Sequence, residues 1–196
     1  KQTITVVDNI DPSVTCGKDT VIDLTNGSCV WDGSIGVPKY SDNCPNVTLS
    51  ASANNNVTLS DITDGKVSGS FPIGTTTITW AATDAGGRRA SSCNQTVTVT
   101  DKTAPTMDCT DKDVNIDASA MCLANNVAIP LPTVAENCSK PYELTAKRSD
   151  GASLTINADN ATGNFYAGTT TIIWTAADAA GNSSSCRTTV NVTKED

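Results

Sequence analysis

The sequence predicts an all-β protein made of two tandem immunoglobulin-like antiparallel β-sandwiches. Three observations predict this fold: a repeat of about half the chain length, apolar residues that alternate with threonine, and turn signals between short strand-like runs. No stretch has a convincing helical pattern. Short alternating strands separated by frequent turns are typical of an immunoglobulin-type sandwich.

The cysteines define the repeat. Each cysteine of the first half recurs in the second half, at offsets of 93, 93, 94 and 93 residues. The four pairs of equivalent positions are Cys16 and Cys109, Cys29 and Cys122, Cys44 and Cys138, and Cys93 and Cys186. The period predicts a first domain over residues 9–101 and a second over residues 102–193.

Residues 1–8 resemble the end of the first domain. The run Gln2–Asp8 (QTITVVD) matches Gln95–Asp101 (QTVTVTD). We interpret residues 1–8 as the last strand of a preceding repeat. The alternative is that they form the N-terminal strand of the first domain.

The strand pattern also predicts the core. Ile78, Trp80 and Ala82 alternate with threonine and alanine, so they share one face of a strand. Trp174 is the equivalent of Trp80, and we expect both to be buried.

The composition excludes several function classes. The chain has 38% hydrophobic and 4% aromatic residues, no histidine, and a net charge of −8. Eight cysteines without a Cys-x-x-Cys spacing argue against zinc and for disulfides, hence for an oxidising compartment. The acidic balance argues against nucleic-acid partners, and no apolar run is long enough for direct membrane insertion. Without histidine, the usual Ser-His and Cys-His nucleophile systems are impossible, so we expect no enzyme.

Several short motifs together resemble a known family. They include Asp42-Asn43-Cys44, Phe71-Pro72-x-Gly74, and Asp84 followed by Gly87, and they return in the second repeat with Glu136 for the aspartate and Tyr166 for the proline. This pattern resembles the hyalin repeat, or HYR domain, in two tandem copies. The resemblance implies an immunoglobulin-like fold in extracellular multidomain proteins, a role in cell adhesion, and no catalytic residues. The four-cysteine version is similar to that of large bacterial cell-surface adhesins.

The resemblance also implies a disulfide pairing. Hyalin-type repeats can keep the pair Cys16–Cys93, whose copy is Cys109–Cys186. The remaining bonds would then be Cys29–Cys44 and Cys122–Cys138. Four cysteines allow three pairings in each domain, and a long strand between Cys29 and Cys44 would hold those two residues apart.

Acidic and amide side chains cluster in three segments that an immunoglobulin-like sandwich brings to one end. The candidates are Asp8, Asn9, Asp11, Asp42, Asn43 and Asp84 in the first domain, and Asp101, Glu136, Asn137 and Asp178 in the second. Oxygen ligands of this kind suit Ca²⁺. The alternative is that these residues cap turns and add solubility, with no metal and no cofactor.

The predicted function is that of a non-catalytic spacer in a large secreted or cell-surface protein. Tandem domains would extend a distal adhesive or functional element, with neighbouring repeats of the same chain as partners. The alternative is an adhesion module that binds a surface glycan or protein. It requires exposed aromatic residues, for which Trp31, Tyr40, Tyr142 and Tyr166 are the candidates.

Overall fold

The computed structural model describes residues 1–110, 113–118, 122–138 and 141–194. The chain forms two compact units, Lys1–Asp101 and Lys102–Asp196. Regular structure in the described residues consists of β-strands. No helix in that part of the chain is long and apolar enough to cross a membrane.

The first unit contains eight strands. They are β1 (Ser13–Thr15), β2 (Thr20–Leu24), β3 (Val30–Gly36), β4 (Lys39–Ser41), β5 (Thr48–Ala53), β6 (Lys66–Pro72), β7 (Gly74–Thr83) and β8 (Cys93–Asp101). A four-stranded sheet has the order β2-β8-β7-β5, β3 pairs with β6, and β1 pairs with β4.

One strand pair in the four-stranded sheet of this unit is parallel. Strands β5, β7 and β8 are antiparallel neighbours, but β2 runs parallel to β8, with Thr20 opposite Val97 and Leu24 opposite Asp101. Strand β2 therefore ends at the same end of the unit as β8, where the chain leaves it.

The second unit repeats this topology. Its described strands are β9 (Thr106–Asp108), β10 (Val114–Ala118), β11 (Leu123–Pro130), β12 (Thr133–Ala135), β13 (Glu143–Arg148), β14 (Thr155–Ile156), β15 (Asn160–Tyr166), β16 (Gly168–Ala177) and β17 (Ser183–Lys194). The four-stranded sheet has the order β10-β17-β16-β13, again with a parallel pair, β10 and β17. Strands β11, β15 and β14 form the facing sheet, and β9 pairs with β12.

Each unit has its own core between its two main sheets. In the first unit Ile78 and Trp80 of β7 pack with Phe71 of β6, and all three are fully buried. In the second unit Ile172, Trp174 and Phe165 do the same. The period-two pattern therefore places the expected residues inside, and the fold is the predicted all-β sandwich.

Residues 1–12 form no strand, and the first strand begins at Ser13. Residues 1–8 therefore contribute no strand to the sheets of the first unit. Ile4 and Val6 are 82% and 91% exposed, although their repeat equivalents Val97 and Val99 are buried. The apolar alternation alone does not form a strand here, because a strand needs a neighbour to pair with.

A disulfide joins the beginning and the end of the sandwich in each unit. Cys16 bonds to Cys93 and Cys109 bonds to Cys186, and each bond spans 77 residues. Both bonds connect the segment just after the first short strand to the last long strand.

The predicted bonds Cys29–Cys44 and Cys122–Cys138 are wrong, because Cys44 and Cys122 carry free thiols. The seven-residue strand β3 lies between Cys29 and Cys44. A strand of that length spans roughly 20 Å, whereas a disulfide requires Cα atoms within about 7 Å of each other. Cys29 and Cys138 are disulfide-bonded.

Candidate metal centre

The predicted acidic cluster of the first unit forms at the end where the chain enters, which we call its N-terminal pole. Asp8, Asp42 and Cys44 each direct one possible ligand atom to within 4.8 Å of the others. The Asp8 carboxylate accepts a hydrogen bond from the Ile10 backbone N–H at 3.0 Å, and Asp42 accepts one from the Cys44 N–H at 3.2 Å. Asx turns of this kind orient the two side chains towards each other.

Asp84 brings a third carboxylate to this pole. It follows β7, and its Oδ1 accepts a hydrogen bond from the Arg88 N–H at 2.8 Å. The residue is only 6% exposed, and its buried Oδ2 has no hydrogen-bond partner within the described part of the chain. The buried Oδ1 of Asp42 also has no hydrogen-bond partner within the described residues. Buried carboxylate oxygens without partners are costly, so they point to a ligand.

The charges of this cluster affect one another. The pKa of Asp8 lies below its usual value, first because of the Ile10 N–H and then because of the Cys44 thiol. The pKa of Cys44 is raised, first by its hydrogen bond to Asp8, then by burial, and then by the charges of Asp8, Asp42 and Asp84. The three carboxylates are therefore close enough to act on one thiol.

The equivalents of these three carboxylates are Asp101, at the end of β8, and Glu136 and Asp178 of the second unit. Asp101 is 1% exposed and Asp178 is 7% exposed. Asp178 accepts hydrogen bonds from the Asn182 N–H at 2.8 Å and from its Nδ2 at 2.7 Å. Burial raises the pKa of Asp178, but these hydrogen bonds outweigh it and the net direction is down.

Other predicted ligands lie apart from these groups or have other roles. Asn9 is exposed, and Asp11 forms an ion pair with Arg88, with 2.7 Å between Oδ1 and Nε. Asn43 donates from Nδ2 to the Asp8 carboxylate at 3.4 Å and to the Cys44 sulfur at 3.3 Å.

Asn137 behaves like Asn43, since it donates from Nδ2 to the Cys138 sulfur at 2.7 Å. The two asparagines therefore present donors, not ligand oxygens, to their neighbours. Cys44 was not among the predicted ligands, although its position directly after Asp42-Asn43 was a usable signal.

The donor set suits a hard cation better than a soft one. Three carboxylates at one pole match the oxygen preference of Ca²⁺, and a protonated thiol adds little to such a site. We therefore take Asp8, Asp42 and Asp84 as the candidate calcium ligands of the first unit.

Comparisons with known proteins agree with the sequence motifs. The family model described as "HYR domain" matches residues 7–99. Hyalin from Strongylocentrotus purpuratus is 30% identical over 117 residues, which is 58% of this chain and 9% of hyalin. The chain thus spans a small part of that relative.

Two solved structures resemble the chain at low similarity. Human protocadherin-24 EC1-2 is 14% identical with a TM-score of 0.44, covering 96% of this chain and 100% of that one. Drosophila N-cadherin EC1-3 is 13% identical with a TM-score of 0.39, covering 95% of this chain and 69% of that one. At these values neither structure bears on function. The family match and the hyalin relative support an HYR domain in residues 7–99.

Proposed function

We propose that the two units are non-catalytic structural repeats of a large extracellular protein, in which they act as spacers that extend a distal adhesive or functional element. The observation that carries this proposal is the pair of equivalent disulfides, Cys16–Cys93 and Cys109–Cys186, on one topology in two consecutive units. The match of residues 7–99 to the HYR domain supports an extracellular adhesion-type module. We propose that the second unit is a second copy of that domain.

The disulfides support the extracellular location, since such bonds persist in secreted and cell-surface proteins. The repeated cysteines and motifs support a parent protein built from more copies of this unit, of the kind found in bacterial surface adhesins. Each unit has a separate core, so it folds around its own sheets. Independent cores of this kind are what a chain of repeated spacers requires.

We further propose that the N-terminal pole of the first unit binds Ca²⁺ through Asp8, Asp42 and Asp84. The buried Oδ2 of Asp84 supports the proposal most directly, because burying a charged oxygen is unfavourable unless a cation or donor compensates it. A bound cation would also offset the mutual repulsion of the three carboxylates.

The test is a thermal unfolding scan of the chain in millimolar CaCl₂ and in EGTA, with MgCl₂ as the matched control. A ligand at one hundred times its Kd stabilises the folded state by about 2.7 kcal/mol. We expect a higher midpoint in CaCl₂ than in either other solution. Identical midpoints in all three would contradict calcium binding and leave these side chains as turn residues.

The competing function is an adhesion module that itself binds a glycan or a protein. Tyr40 and Tyr166 are 45% and 71% exposed, which is the feature that favours it. Trp31 does not support it, because its ring stacks on Phe71 with the centroids 5.4 Å apart.

Arrays of glycans and matrix proteins, probed with the wild type and with Tyr40→Ala and Tyr166→Ala, distinguish the two functions. The spacer predicts no binding that depends on either tyrosine. Binding that one of these variants abolishes would establish the adhesion module instead.

A further inference from the structure

The two free thiols lie at opposite ends of their respective units. Cys44 lies at the N-terminal pole of the first unit, where its sulfur lies within 4.8 Å of one carboxylate oxygen each of Asp8 and Asp42. Its companion Cys29 lies at the other end, the C-terminal pole. There the Cys29 carbonyl accepts a hydrogen bond from the Ile73 N–H at 3.2 Å. Ile73 directly precedes Gly74, which pairs with Val99 near the end of β8.

The second unit repeats this placement. Cys138 lies at its N-terminal pole, where its backbone N–H donates to Glu136 at 3.0 Å. Cys122 lies at the C-terminal pole. Its carbonyl accepts a hydrogen bond from the Ala167 N–H at 2.9 Å. Ala167 directly precedes Gly168, which pairs with Val192 near the end of β17.

Equivalent cysteines nevertheless differ in state. Cys29 is disulfide-bonded while its equivalent Cys122 is free, and Cys138 is disulfide-bonded while its equivalent Cys44 is free. The placement of each cysteine at its pole is the same in both copies, although Cys122 has a φ of 57° and β11 carries a register shift that β3 lacks. The position at a given pole therefore does not by itself decide the state. In each unit the bonded cysteine lies at the pole through which the chain continues to the other unit, and the free cysteine lies at the opposite pole.

From this pattern we infer that Cys44 and Cys122 form disulfides with further copies of the repeat. Cys122 bonds to the Cys44-type cysteine of a following copy, and Cys44 bonds to the Cys122-type cysteine of a preceding copy. The partner is therefore a copy of this repeat, and the inference rests on the proposed tandem array. The array is then connected by covalent bonds in addition to its backbone.

The chemistry requires an oxidant, for which a small-molecule disulfide such as oxidised glutathione suffices. One cysteine thiolate attacks the glutathione disulfide and releases one glutathione thiolate. The second cysteine then attacks the mixed disulfide and releases the second. A protein S–S bond forms, the glutathione S–S bond breaks, and two protons leave the two protein thiols and are available to the two glutathione thiolates. Because tandem copies are tethered, the second attack is intramolecular and has a high effective concentration.

A fused chain tests the inference. Residues 1–193 are followed directly by residues 8–196, so that Thr193-Asp8 reproduces the native sequence Thr100-Asp101. The chain is oxidised with oxidised glutathione, and free thiols are counted under denaturing, non-reducing conditions. Intact mass identifies any glutathione adducts. Since each unfused chain carries two free thiols, fusion without a new bond predicts twice that number. The inference predicts the unfused number, and a cross-linked peptide that joins Cys122 to the Cys44 of the second copy.

The matched control is Cys122→Ser in the first copy of the fused chain. If the inference is right, this substitution raises the number of free thiols by one, because it releases the second copy's Cys44. If the inference is wrong, it lowers the number by one. Full thiol retention in a completely folded fused chain would overturn the disulfide and leave the tandem array intact. A fused chain with a sheet signal in circular dichroism well below twice that of the unfused chain would mean that the second copy does not fold, and it would count against the array.

Discussion

Trp80 donates a hydrogen bond from its buried Nε1 to the Oε1 of Gln95, at 3.1 Å across strands β7 and β8. The Gln95 amide continues the chain of contacts, since its Nε2 donates to the Lys18 carbonyl at 2.8 Å. In the second unit the same need is met differently, because Trp174 donates to the Thr188 hydroxyl at 2.8 Å. Each unit therefore satisfies the indole N–H at the centre of its core.

Gln95→Leu should destabilise the first unit, because it leaves the Trp80 N–H buried without an acceptor. An unsatisfied buried donor costs about 1–3 kcal/mol, and we expect the free energy of unfolding to fall by that amount in urea titrations followed by tryptophan fluorescence. Thr188→Val is the matched change in the second unit, with a similar loss expected there. If neither variant lowers the free energy of unfolding, these bonds do not contribute as the structure implies.

Removing one long-range disulfide should weaken its own unit alone. In the chain-entropy treatment a closed loop of this length contributes about 4 kcal/mol, so Cys16→Ala with Cys93→Ala should lower the free energy of unfolding of the first unit by roughly that amount. The double change Cys109→Ala with Cys186→Ala is the matched control, since that bond spans the same 77 residues. Calorimetry should show one transition lowered and the other unchanged in each variant; a shift of both would contradict separate cores.

The substitution Asp84→Asn should change the thermal stability of the first unit differently in EGTA and in CaCl₂. In EGTA the variant should unfold at a higher temperature than the wild type, because it removes one of three mutually repelling charges and keeps the Oδ1 acceptor for Arg88. In CaCl₂ the wild type should gain stability and the variant should not. Asp61→Asn, at an exposed loop residue, is the control with no expected effect in either buffer. Equal responses of wild type and Asp84→Asn to calcium would count against the site.

Acid should destabilise the first unit through Asp19. Its carboxylate accepts a hydrogen bond from the Thr96 N–H at 2.7 Å. The pKa of Asp19 is lowered, first by this backbone bond and then by the Thr96 side chain. A depressed folded-state pKa contributes stability above the unfolded-state pKa, and that stability is lost as the pH falls through the folded-state pKa.

The Asp19→Asn variant should therefore lose less stability than the wild type when urea titrations are moved from neutral to acidic pH. Asp113 holds the equivalent position and accepts from the Thr189 N–H at 2.6 Å, so the second unit is an internal reference. Parallel pH profiles for wild type and variant would show that this carboxylate does not contribute.

The repeat and the core were predictable from the sequence, because both depend on spacing along the chain. The alternation that puts Ile78 and Trp80 on one face also buries them in the structure. The parallel pairing of β2 with β8 was not predictable, since alternation identifies a strand but not the direction of its neighbour.

The candidate site was predictable only in part. The common pole of Asp8, Asp42 and Asp84 follows from the topology of the sandwich, and those positions were predicted. The ion pair of Asp11 with Arg88 depends on a loop conformation that spacing does not encode. The predicted bond between Cys29 and Cys44 was wrong because strand β3 places the two residues at opposite ends of the unit, an objection that the sequence itself had raised.

The bond between Cys16 and Cys93 has a mechanical consequence. When a unit is pulled by its ends, the load passes from one end to the other through this bond and bypasses the residues that it encloses. Those residues cannot add to the contour length, even if the sheets come apart. Only the short segments outside the bond can extend, so a series of such units would lengthen very little under tension and would recover its original length when the tension is released.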